Sequence, residues 1–89
     1  MATKALKVEF FFAEGCDKCA QARDALREAA QSTPLVEWKE IDIAKNPDRV
    51  VDVGVVSTPA MAIDGRLVFK TMPTASELRN AIEARAGKG

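Results

Sequence analysis

Between Phe12 and Cys16 the chain changes from a strand pattern to a helix pattern, and its only two cysteines stand at the changeover. Val8 to Phe12 is a short apolar run of strand composition, and Gly15 breaks it. From Gln21 to Gln31, Ala22, Leu26 and Ala29 recur at three-to-four spacing in line with Cys19, which is the stripe of a core-facing helix. Arg23, Asp24, Arg27, Glu28 and Gln31 fall on its solvent side. Cys16 is therefore expected at or just before a helix N-terminus, where unpaired N–H groups and the helix dipole favour negative charge. The thiolate is the reactive form of cysteine, so Cys16 is expected to be a better nucleophile than a free thiol with a pKa of about 8.5. Cys19 follows one turn later on the same face, within reach of a mixed disulfide formed on Cys16. The pattern is that of a dithiol made to open and close.

Eighty-nine residues suffice for one small domain, 1–89, with no room for a second core. A composition 47% hydrophobic and 29% charged argues against disorder. Thirteen basic and thirteen acidic residues cancel, so charge gives no footprint for nucleic acid or anionic lipid. No apolar stretch approaches the ~20 residues of a membrane helix. The Val8–Phe12 run, interrupted by Glu9, is also too short for a signal-peptide core. With no export signal and two closely spaced cysteines, a secreted disulfide scaffold is disfavoured, and the reducing cytoplasm is the expected compartment.

Ser32-Thr33-Pro34 is expected to stop the first helix, because Pro cannot continue it and disfavours helical geometry before itself. Leu35 to Ile43 reads as a strand whose partial alternation implies one wet face or edge. Asn46-Pro47 is read as a cap and first helical position, with Gly54 as the stop. Val50, Val51 and Val53 are β-branched, so the same stretch also suits a strand. Ala60–Ile63 and Arg66–Lys70 flank Asp64-Gly65, the signal of a two-residue hairpin. Thr74-Ala75-Ser76-Glu77 matches a capping box, and Leu78, Ala81 and Ile82 form an apolar stripe up to Gly87. The predicted class is α/β in the order β-α-β-α-β-β-α, with 86–89 as a loose tail.

These residues resemble the thioredoxin family and its small thioredoxin/glutaredoxin-like relatives over nearly the full chain. Phe11-Phe12-Ala13-Glu14-Gly15-Cys16 is similar to the thioredoxin approach to its active site, with Cys19 as the second cysteine. Ile43 to Pro47 resembles the segment after the following strand, and Gly54 to Pro59 resembles the loop that ends in a cis-proline. Cys-x-x-Cys joined to a later Thr-Pro and a closing hairpin and helix is a far more specific signal than the cysteines alone. The resemblance implies a minimal thioredoxin-like fold: a four-stranded mixed sheet with helices on both faces, lacking the extra N-terminal strand and helix of full thioredoxins. It also implies that Cys16 attacks, Cys19 resolves and Pro59 faces the sulfurs. Thr58 would pair through its backbone with extended substrate, next to a contact surface of Gly15, Asp17 and Lys18. The implied activity is thiol–disulfide exchange with a protein disulfide. A thiol reductase, thioredoxin reductase-like or glutathione, would regenerate the dithiol. The protein is expected to act as a monomer, with no cofactor or metal.

Departures from the family pattern bear on mechanism. Thioredoxins have Trp before the first cysteine and Gly-Pro between the pair, where this chain has Gly15 and Asp17-Lys18. Lys18 favours a thiolate at Cys16 and Asp17 opposes it. The buried aspartate beneath the second cysteine aligns with Phe10, and Glu9, one residue out of register, should point to the opposite face. Glu40 is a candidate base for Cys19; the competing reading is a solvated carboxylate on an edge strand. The glutaredoxin Cys-Pro-Tyr-Cys insert is absent. So is the Gly-Gly-acidic segment that binds glutathione, replaced here by Met72 to Ser76; the Thr74 helix start is a generic carboxylate acceptor. A protein disulfide is therefore the expected substrate.

Trp38 is read as core or rim packing. Phe10, Phe11, Phe12, Leu67 and Phe69 are read as sheet core, and Met61 and Met72 as gap fillers, with Met72 also placed to line the rim near the cysteines. Two other classes compete. A soft-metal carrier would hold Cu(I) or a similar ion between both thiolates, but small copper chaperones place a hairpin directly after the first helix, and here a helix signal and Thr-Pro intervene. A zinc site lacks histidine and further cysteines. A non-catalytic interaction module is disfavoured by both cysteines together with Pro59.

Overall fold

A computed structural model describes residues 6–33 and 36–86. Strand β1 (Leu6–Phe12) leads into helix α1 (Asp17–Gln31), followed by β2 (Val36–Asp42) and α2 (Pro47–Val53). The hairpin strands β3 (Ala60–Ile63) and β4 (Arg66–Phe69) and helix α3 (Ala75–Ala86) complete the predicted order. The sheet order is β2-β1-β3-β4. Strand β1 runs parallel to β2 and antiparallel to β3, and β3 runs antiparallel to β4, so the sheet is mixed as the resemblance implied. The expected stop at Pro34, the strand start at Leu35 and the stop at Gly87 lie outside the described residues. Helix α3 runs through Ala86, into the expected tail, of which 87–89 are also outside the description.

Alternation along β1 feeds two cores. Val8 and Phe10, with Met61 and Ile63 of β3, pack against Leu26, Ala29 and Ala30 of α1 and Leu78 and Ile82 of α3. On the other face Phe11, Ile41, Ala60 and Ala62 pack with Val53 of α2. The aromatic residues read as sheet core divide between these faces: Phe10 and Phe11 are fully buried, while Phe12, Leu67 and Phe69 are half-buried. Helices thus cover both faces, and large apolar burial of this kind supplies the main stabilisation of a small domain.

The ambiguous valine segment is helical. Pro47 sits at the first helical position, and the helix ends at Gly54. Only one side of it meets the sheet: Val53 is buried, whereas Val51 is 79% exposed. Asn46 holds the cap position without a capping bond, because its side-chain amide donates to the Asp42 carbonyl (2.9 Å). The hairpin turn has Asp64 at φ 51° and Gly65 at φ 82°, the paired positive values that make Asp-Gly the preferred two-residue connection. The capping box is formed in both directions: Glu77 N–H donates to Thr74 Oγ1 (3.1 Å), and Thr74 N–H donates to Glu77 Oε1 (2.8 Å).

Among the described residues one charged side chain is buried. Glu9, only 5% exposed, points to the α2 face, opposite to Phe10. Arg49 of α2 meets it with a two-bond fork, Nε donating to Oε2 (2.8 Å) and Nη2 to Oε1 (2.6 Å). These hydrogen bonds raise the Arg49 pKa above its already high ordinary value, against the lowering by desolvation. A buried carboxylate is tolerated when it is paired in this way, so the fork ties the short α2 to the central strand. Arg49→Met should destabilise the protein by about 2–3 kcal/mol in urea unfolding. The loss should be smaller than for a fully buried pair, because the Arg49 side chain is 40% exposed. Combining it with Glu9→Leu should restore most of the loss, and a double variant as unstable as the single one would refute the pairing argument.

Candidate active site

Strand β1 ends in a turn that aims the first cysteine. Cys16 N–H donates to the Ala13 carbonyl (3.1 Å), and Gly15, third in the turn, has φ 82°. That conformation suits glycine and strains a residue with a Cβ. A Cβ at Gly15 would meet nothing within 4 Å, so the restriction comes from the backbone and not from space.

Cys16 is the N-cap of α1, with extended backbone (φ −83°, ψ 100°). Its Sγ accepts a hydrogen bond from the Cys19 N–H (3.2 Å), and its carbonyl accepts from Ala20 N–H (3.1 Å). The sulfur therefore occupies the place of a capping oxygen, where an otherwise unpaired helix N–H stabilises negative charge. Cys16 and Cys19 are joined as a disulfide with Cα atoms 5.3 Å apart. Cys16 is half-buried and Cys19 only 3% exposed.

Beneath the pair the surroundings are apolar. Phe10 is fully buried and stacks on Trp38, with ring centroids 5.6 Å apart. A pocket of about 140 Å³ beside the cysteines is lined by Phe10, Phe12 and the polar rim residues Glu14 and Arg23. Glu40 does not line it. The Glu40 Oε2 accepts the Trp38 indole N–H (3.0 Å) and stands 3.8 Å from Arg27 Nη1, on β2 at the sheet edge. This placement matches the edge-carboxylate reading and not that of a base for Cys19. Among the described residues no buried side-chain polar atom lacks a partner.

On another side of the turn lies a groove of about 500 Å³, lined by Lys18, Ser57, Thr58, Pro59, Lys70 and Met72. The Thr58–Pro59 peptide is cis, Pro59 is buried and Thr58 half-buried. Of the residues singled out from the sequence, Gly15, Cys16 and Cys19 line the pocket, while Lys18, Thr58 and Pro59 line the groove. Asp17 is exposed in the first turn of α1 and lines neither. Ser57, Lys70 and Arg23 were not singled out. Lys70 comes near the loop because β4 returns antiparallel, Phe69 pairing with Met61, and no local pattern carries that information.

A sulfur at a helix N-cap, its partner shielded one turn inside, and a proline loop beside them define a thiol–disulfide oxidoreductase of thioredoxin fold. Comparison with known proteins agrees. Residues 5–83 match the family described as "Thioredoxin domain". The chain is 31% identical over 81 residues to thioredoxin of Methanocaldococcus jannaschii, covering 90% of this chain and 95% of that one. A mutant thioredoxin from Halobacterium salinarum superposes with TM-score 0.78 at 21% identity, over 91% of this chain and 74% of that one. A protein disulfide oxidoreductase from Aeropyrum pernix gives TM-score 0.79 at 24% identity, over 97% of this chain and 39% of that one. The chain belongs to the thioredoxin family. The soft-metal carrier reading gains no support from these relatives. Among the described residues no group of three or more His, Cys, Asp or Glu side chains is placed to hold a metal ion.

The difference in exposure predicts that limiting iodoacetamide labels Cys16 before Cys19 in the reduced protein. Peptide mass mapping reads this directly, and preferential alkylation of Cys19 would reverse the assignment of outer and inner sulfur.

Proposed function

We propose that the Cys16–Cys19 dithiol reduces protein disulfides and is itself restored by a thiol reductase, thioredoxin reductase-like or glutathione. The observation that carries this reading is the hydrogen bond from the Cys19 N–H to Cys16 Sγ at the start of α1, with Cys19 shielded behind it. In the reduced protein the Cys16 thiolate attacks one sulfur of the substrate disulfide. The substrate S–S bond breaks, a mixed disulfide forms, and the departing substrate thiolate takes a proton. Cys19 then loses its proton, attacks Cys16 Sγ and expels the second substrate thiol. Two electrons pass from the dithiol to the substrate, and the two substrate thiols take up two protons, one matched by the loss from Cys19 and one from solvent, leaving the internal disulfide.

Phe10 stands where thioredoxins carry an acid, and Glu40 is held by Trp38 at the sheet edge, so the Cys19 proton goes to water or to the departing substrate thiolate. Thr58, beside Pro59, offers its backbone to an extended substrate, while Gly15, Asp17 and Lys18 form the surface around the attacked bond. Two closely spaced cysteines without a wider disulfide framework suit a reducing compartment such as the cytoplasm, and the monomer suffices for this chemistry.

Cys19→Ser should strand the covalent intermediate and trap protein partners as mixed disulfides from a cell extract, visible on non-reducing gels. Cys16→Ser should trap almost none. Adducts of glutathione alone would move the assignment to glutaredoxin chemistry, and equal trapping by both variants would show that the sulfurs have no division of labour.

A further inference from the structure

The groove beside the proline loop has a charge that the net-neutral chain does not suggest. Lys18 comes from the turn of α1 between the two cysteines, and Lys70 from the end of β4; both are exposed and both line the groove. Among the described residues no acidic side chain lines it with them, and Asp17, the exposed neighbour of Lys18, lies outside the lining. Among the described residues neither lysine takes part in an ion pair, whereas Arg23, Arg27 and Arg49 all do. Met72, 37% exposed, lines the same groove, and Val56, 91% exposed, lies just before Ser57.

We propose that Lys18 and Lys70 select substrates whose disulfide lies in an extended segment carrying acidic side chains next to the cysteine. The inference rests on the oxidoreductase reading above and names its substrate class. A segment laid along Thr58 would occupy the groove that both lysines line, so carboxylates on it gain favourable charge contact and ammonium groups meet repulsion. Met72 supplies apolar cover along the same path.

Two peptides of equal length test this, one with Glu on both sides of its cysteine and one with Lys, each as a mixed disulfide with thionitrobenzoate. Chromophore release by the reduced protein is divided by the rate with dithiothreitol, which removes the intrinsic reactivity of each peptide. The ratio between peptides also cancels any change in Cys16 nucleophilicity that substitution of Lys18 causes. The wild type should favour the Glu peptide at low salt by roughly fivefold, the scale of two exposed charge contacts. That preference should shrink as salt rises towards ~1 M, where screening acts within about 3 Å.

Lys18→Glu with Lys70→Glu should invert the preference, and Lys18→Gln with Lys70→Gln should bring it near unity. The second pair carries the test if the charge-reversed protein fails to fold. Equal rates for both peptides in the wild type, or a preference that survives both double variants, overturn the proposal while leaving the oxidoreductase reading intact. Oxidised glutathione serves as a third substrate, because it carries carboxylates close to its cysteine but no extended segment; a rate relative to dithiothreitol equal to that of the Glu peptide also overturns the proposal. If none of the three disulfides is reduced, the oxidoreductase reading itself fails.

Discussion

Strand β1 is hydrogen-bonded on both edges and packed on both faces, and the remaining architecture depends on this double constraint. Its alternate residues serve two cores, with Val8 and Phe10 under α1 and α3 and Phe11 towards α2. A slip of one residue would exchange the faces, burying Glu9 among the aliphatic side chains of α1 and α3. Arg49 reinforces the observed register, since its guanidinium reaches Glu9 only on the α2 side. With β1 held in place, the Gly15 turn and the start of α1 are held too, and Cys16 stands at a defined point beyond the carboxyl end of the central strand.

The electrostatics of the site derive from backbone more than from side chains. The Cys19 N–H at the first turn of α1 provides the polar contact to Cys16 Sγ. The interior behind the cysteines is aromatic, with Phe10 stacked on Trp38. In the disulfide this contact lies at the half-buried Cys16 end of the pair, while the inner sulfur is enclosed by apolar side chains. The two sulfurs thus differ both in exposure and in hydrogen bonding. Glu40, the candidate base for Cys19, has its Oε2 engaged by the Trp38 indole and faced by Arg27.

Two openings that differ in character flank the start of α1. The smaller pocket has aromatic walls with Glu14 and Arg23 at its rim, so its charges offset one another. The larger groove lies between Lys18 of the cysteine turn and the proline loop, and among the described residues its charged lining side chains are Lys18 and Lys70. A chain with no net charge thus gathers two lysines along one groove. Local charge of this kind acts on encounter and partner choice more than on the strength of the fold.

Elements whose signals are local were legible in the residues themselves. The change of period at Gly15, the Asp64-Gly65 turn and the Thr74–Glu77 capping box each depend on neighbours a few positions apart, and backbone preferences act over that range. The alternation in β1 likewise placed Glu9 opposite Phe10 before any partner was known. The Val50–Val53 stretch was ambiguous because β-branched residues suit both states. Packing of Val53 on the sheet and the reach of Arg49 to Glu9, forty residues away, belong to the helix and not to a strand. The engagement of Glu40 by Trp38 and Arg27, and the placement of Lys18 and Lys70 along one groove, were not legible in advance. They arise only when parallel and antiparallel pairing around β1 brings distant segments together, a matter of sheet order and register that no short stretch of sequence encodes.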